Sequence, residues 1–207
     1  MNHKLFDYPH KAIRNLMFKV STELTTCQNF KEFEKTRLLL DDLKFLLDNH
    51  LKTENDFIVP HLSAALIHES DTEHDEVEAL QQQLFQFLYN LRADNYKEQR
   101  EKAELMFNHF VGKYLLHMHH EETTFQEHIW NSYSEEYQSA IVMNIIKKFS
   151  PEENWIWMKY GLPYVSPELR IQRLKAFRDM VSEEQYNRLI NHLREFIDKQ
   201  EFEVLTY

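Results

Sequence analysis

Glycine and proline are nearly missing from this chain, 2 and 5 among 207 residues. Sheet proteins need such residues at frequent tight turns, so their scarcity excludes a sandwich or barrel and requires long helices with few breaks. The single cysteine, Cys27, excludes an internal disulfide and fits a reducing compartment. No run approaches the roughly 18 apolar residues of a membrane span. The opening MNHKLFDYPHK lacks the apolar stretch of a secretory signal. Positive charge is also short, with 24 Lys and Arg against 34 Asp and Glu, a net of −10. So acidic a chain repels nucleic-acid phosphates and tolerates cations. The expectation is a soluble, cytoplasmic, all-α protein with neither nucleic acid nor membrane as partner.

What is plentiful is aromatic bulk and histidine. Fifteen Phe, 10 Tyr and 3 Trp are core material for a chain long enough to bury a sizeable interior. Of the 12 His, four fall in the stretch 114–128, YLLHMHHEETTFQEH, which contains nothing that breaks a helix. There His117 and Glu121 lie four apart and project from one helical face. His50 and Glu54 repeat the spacing, and each pair is followed by a His seven residues after its Glu, His61 and His128.

Apolar periodicity predicts four long helices and then several short ones. The first opens at Tyr8-Pro9-His10 and ends near Cys27, with His10 on the face of Ile13, Met17 and Val20. The second runs from about 30 to about 69 and is bent or interrupted by Pro60. Ser70-Asp-Thr-Glu73 reads as a capping box that starts the third, with His74 in its first turn. The fourth runs from about 96 to about 130, with Met106, Phe110, His117, Glu121 and Phe125 facing inward. From residue 134 the histidines stop, apart from His192, and short helices begin at Ser150-Pro, Ser166-Pro and Ser182, with a break at Gly161-Leu-Pro163. The expected architecture is an antiparallel four-helix bundle over 1–133 with a C-terminal helical extension, 134–207, packed on it.

The two halves of the bundle align. His10 to His74 is an offset of 64, while His50 to His117, Glu54 to Glu121 and His61 to His128 are each an offset of 67. Two helix pairs therefore look like copies, and a bundle brings their inward faces to one interior. Each copy brings a lone His and a His-x-x-x-Glu. Four imidazoles and two carboxylates exceed the needs of one tetrahedral zinc. They suit two ions, each with two His, bridged by Glu54 and Glu121 and separated by roughly 3.5–4 Å. A solvent or oxo bridge and an open position would complete the coordination.

The order His, His-x3-Glu, His, His-x3-Glu resembles the hemerythrin-like (HHE cation-binding) family. The residues are His10 in Pro-His-Lys-Ala-Ile-Arg, His50 and Glu54 followed by Ile58 and Pro60, His74 after Glu73, and His117 with Glu121-Glu122, covering 8–128. The pattern looks closest to the variety in the iron-sensing domain of a ubiquitin-ligase F-box subunit. The resemblance implies two iron ions, oxo- or hydroxo-bridged, with zinc as a substitute. It also implies binding or sensing of dioxygen, another small diatomic, or iron. The metal ligands implied are His10, His50, Glu54, His74, His117 and Glu121. Two departures stand out. Oxygen carriers of the family have a His four after the third-helix His, where this chain has Glu78, and place the last carboxylate five after its His, which here is Glu122.

Glu78, Glu122, His61 and His128 rank below the six, as ligands or as groups that hold a ligand in place. His68, His109, His119 and His120 are expected to face outward or pack locally, and Met17, Met106 and Met118 to pack. No catalytic residue is assigned. The alternative reading is a helical interaction module with a structural or absent metal, in which 134–207 binds a protein partner. A ferritin-like oxidase ranks lower, because its motif is Glu-x-x-His.

Overall fold

The computed structural model describes residues 4–179, 181–194, 197, 199 and 203. Among these there are helices and no strand. Among the described residues no helix is long and apolar enough to cross a membrane. Helix α1 spans Asp7–Thr26, α2 Phe30–Phe57, α3 Ala64–Tyr89 and α4 Tyr96–His120. Polar side chains that cross between helices fix their directions. On α1 and α4, Ser21 meets Asn108 and Thr25 meets Glu104, so rising numbers on one helix meet falling numbers on the other. The same holds for Asp48–Gln81 and Asp41–Tyr89 on α2 and α3, and for Glu76–Lys113 and Glu73–His117 on α3 and α4. Between α1 and α2, Cys27 meets Thr36 at one end and His10 meets His50 at the other. The bundle is antiparallel throughout. Its interior is filled by Leu16, Leu43, Leu47, Leu84, Phe107 and Phe110, all buried.

The boundary between α2 and α3 differs from the sequence expectation. At Pro60 the run is interrupted, one of the two expected outcomes, and the second helix ends well before residue 69: after α2 comes a 3-10 turn, Val59–His61. Ser63 then caps α3 by accepting from the Leu66 N–H. Ser70 is therefore no cap. It lies inside α3, fully buried, and His74 sits mid-helix instead of in the first turn. Ser63 precedes the apolar run and offers the same hydroxyl about two turns closer to the proline, so it takes the helix start that Ser70-x-x-Glu73 only mimics.

The fourth helix also departs from regularity. At Glu121–Phe125 it widens into one π turn before α5, Gln126–Ser132. The Gln126 N–H bonds back to the Glu121 carbonyl, five residues earlier. Such inserted turns recur at functional sites.

Beyond the bundle lie α6 (Glu135–Lys148), α7 (Pro151–Gly161), a 3-10 turn (Leu162–Tyr164), α8 (Pro167–Arg178) and α9 (Glu183–Leu193). Ser150, Ser166 and Ser182 cap α7, α8 and α9 as the sequence predicts. Of these, α6 and α7 seat on α1 and α2, and α9 packs on α7 and α8. Lys159 and Tyr160 bond Asp42 at 2.8 and 2.5 Å, and Trp157 donates to Asn49 at 3.0 Å. Tyr8 donates its hydroxyl to the Trp157 carbonyl at 3.1 Å. The break expected at Gly161-Leu-Pro163 is where α7 ends and the 3-10 turn begins, and Gly161 also lets Tyr8 approach: a Cβ there would lie 2.6 Å from the Tyr8 ring. Trp157, Leu162 and Phe177 belong to the same buried cluster as Tyr8, Leu16 and Leu47, so the extension's apolar faces complete the bundle's core.

Candidate metal centre

Six polar positions from four helices converge at one end of the bundle. His10 lies in the first turn of α1, His50 and Glu54 near the end of α2, and His74 mid-way along α3. His117 lies in the last turn of α4, and Glu121 opens the π turn. All six are 4 % exposed or less, so bulk water cannot solvate them. Burying polar and ionisable groups is costly unless something else satisfies them.

Their donor atoms form two overlapping groups. One is His10, His50, Glu54 and Glu121; the other is Glu54, His74, His117 and Glu121; within each, the atoms lie within 4.8 Å of one another. Both carboxylates belong to both groups, and each group adds two imidazoles. Glu121 spans them: Oε2 is 3.2 Å from His10 Nε2, while Oε1 is 3.2 Å from His117 Nε2 and 3.7 Å from His74 Nε2. Glu54 does the same, 3.2 Å from His50 Nε2 through Oε1 and 3.8 Å from His74 Nε2 through Oε2.

These approaches do not amount to a satisfied polar network. Both Glu54 oxygens, Glu121 Oε2 and the Nε2 atoms of His74 and His117 are buried with no hydrogen-bond partner. Buried polar atoms are normally paired. Five orphaned atoms facing one space, all from imidazole and carboxylate, fit divalent cations of the iron and zinc kind, which take lone pairs from those groups. The electrostatics agree. Burial and the neighbouring Glu121 push the Glu54 carboxyl well above its ordinary range. Burial would raise Glu121 as well, but the imidazoles of His117, His10 and His74 hold it well below. Of the two carboxylates Glu54 is the one that favours its proton, whose place a bound cation would take. Burial pushes the His50 imidazole well down, toward the neutral form that ligates metals. Burial also works against charge on His10, but Glu121 and Glu122 on its two nitrogens outweigh it and raise its pKa.

A ring of outer groups orients the imidazoles through their second nitrogens. His10 Nδ1 meets Glu122 Oε1 at 2.9 Å, and Arg14 bonds the same oxygen at 2.8 Å. The His10 contact and the Arg14 guanidinium draw the Glu122 carboxyl down to about 2. His117 Nδ1 meets Glu73 Oε2 at 3.1 Å, while His120 holds the other Glu73 oxygen at 2.7 Å. His74 Nδ1 meets Asn55 Oδ1 at 3.1 Å. Outer partners of this kind fix which nitrogen is free to ligate and raise its basicity. The π turn matters here. Its wider turn leaves a smaller angle between successive residues, so Glu121 and Glu122 both reach His10, one at each nitrogen.

The remaining sequence candidates fall elsewhere. Glu78 is exposed and belongs to neither donor group, because Val77 and Gln81 take the inward face of that turn. His61 is half-buried in the 3-10 turn, edge-on to Tyr133 and Tyr137, each 5.4 Å away. His128 is half-buried on α5 and belongs to neither group. Their shared offset of 67 does not bring them into either donor group. His68, His109 and His119 are exposed, and Met17 and Met118 are buried packing. Sequence reasoning missed Glu73 and Asn55. Glu73 stood in the false capping box, and no spacing rule links it to His117 on another helix.

The hemerythrin HHE cation binding domain family matches the chain over residues 1–129. The chain belongs to this family. Comparison with curated proteins and with solved structures found no match. A cation-binding family and two buried His–Glu groups together suit a metal-binding protein.

Proposed function

We propose that this hemerythrin-family chain is a non-haem di-iron protein that binds or senses dioxygen, another small diatomic, or iron itself. His10 and His50 would hold one ion, His74 and His117 the other, and Glu54 and Glu121 would join them. The supporting observation is that both carboxylates are shared by two donor groups that each contain two imidazoles. One tetrahedral zinc has no use for that set. Bound iron would supply redox chemistry and a coordination position for a small ligand. The chain's own part is positional: Glu122, Glu73 and Asn55 turn His10, His117 and His74 inward, and burial excludes water. Zinc would fill the same ligands without redox chemistry. The buried free thiol of Cys27 suits the reducing cytoplasm, where we place the protein.

Aerobic purification after iron supplementation tests the reading. Metal analysis should find about two iron ions per chain, a number that follows from two donor groups, together with near-ultraviolet absorption of ferric iron. Negligible iron would refute it.

A further inference from the structure

Between the bundle and the extension lies a cavity of about 700 Å³. Pockets for small organic molecules span roughly 300–1,000 Å³ and are mostly apolar with a few placed polar groups. This one has that composition. Ile145, Phe149, Met158, Leu169 and Phe177 form apolar walls, and Lys4, Ser166 and Ala176 are exposed where it meets solvent. Its inner end is formed by His50 and Glu54, so it shares a wall with the candidate metal centre.

Among the described residues, the half-buried Arg173 in the lining has no acidic partner. The Arg173 guanidinium carbon lies over the Tyr8 ring, 3.7 Å from its centroid, and Nε is buried without an acceptor among the described residues. Asp7, the one exterior acid in the lining, is occupied by Lys11 at 3.0 Å. A buried guanidinium donor left unpaired is costly, and an aryl face under it leaves its in-plane N–H groups free for a carboxylate.

We propose that this cavity binds an amphiphilic monocarboxylate, such as a medium- or long-chain fatty acid. The carboxylate sits on Arg173, and the apolar body lies along α6, α7 and α8. The occupant would bridge bundle and extension and would end against His50 and Glu54. The inference uses the cavity and the guanidinium, not the metal, so it stands whether or not iron is bound.

The test is displacement of an anionic fluorescent probe from the full-length protein as purified. Dodecanoate should compete, whereas dodecylamine should not and dodecanol should compete more weakly. Arg173→Gln should weaken dodecanoate about tenfold or more, the loss expected for a charge-assisted hydrogen bond. Leu169→Trp, which narrows the cavity and leaves the guanidinium alone, should abolish competition, and it carries the test if Arg173→Gln fails to fold. Thermal melts establish folding of each variant. Repeating the titration on iron-loaded protein keeps the outcome separate from that of the metal reading. No saturable competition by dodecanoate in cooperatively folded protein overturns the proposal. So does equal competition by acid and alcohol with Arg173→Gln unchanged.

Discussion

The two halves of the candidate centre have the same inner residues and different surroundings. Each half brings a lone His and a His-x-x-x-Glu, and the two meet at shared carboxylates. Outside that layer the copies diverge. The His74 and His117 half is held by the bundle itself: Asn55 takes one imidazole, and Glu73 ties His117 to His120. The His10 and His50 half depends on distant parts of the chain. Glu122 and Arg14 hold His10, whereas His50 faces Trp157 of the extension, ring centroids 6.4 Å apart, and the cavity. The two halves share ligand types, while their surroundings differ with what packs on each side. The first half is the one that the extension can influence.

The comparison can be broken most severely at the shared layer. Glu121→Ala removes a donor from both groups, so metal content should fall to near zero, whereas His74→Ala should spare the first group; metal analysis of both variants separates the cases. Trp157→Ala should cost about 3–5 kcal/mol in urea unfolding, since it leaves a large cavity and takes away the cover of His50. Its metal loss should fall on the His10 and His50 half. The outer partners sharpen the contrast. Glu73→Gln and Glu122→Gln should each weaken metal binding roughly 10–100-fold, the former for the His117 side and the latter for the His10 side, as read by competitive chelation. Gly161→Ala should cost about 1–3 kcal/mol, because the new Cβ overpacks the Tyr8 ring; the cost should vanish in a Tyr8→Ala background.

The smallest effect is a pH dependence at the same joint. Burial pushes the Tyr8 phenol from 10.0 up to about 12, against the pull of Arg173. A raised pKa contributes stability that is complete below the unfolded value and is lost as pH rises through the folded one. Stability should therefore fall between pH 10 and about 12, and more gently in Tyr8→Phe.

The chain's inner ligand candidates were legible because their spacing repeats twice and continues apolar stripes, so helical periodicity alone sets them inward. The caps at Ser150, Ser166 and Ser182 were legible because each is a local motif with no competitor nearby. Ser70 failed for the converse reason: Ser63 competes with it, and Ser70 went to the core. The π turn at Glu121–Phe125 has no sequence signal, since it answers a demand made by His10 on another helix. Glu73, Asn55 and the Arg173 cavity were hidden because their meaning arises only from tertiary contacts.

The most direct measurement is anomalous scattering at the iron edge from a crystal of iron-supplemented protein. The account predicts two peaks, one against His10 and His50 and one against His74 and His117, with Glu54 and Glu121 touching both. A single peak, or iron held outside these six side chains, would contradict it.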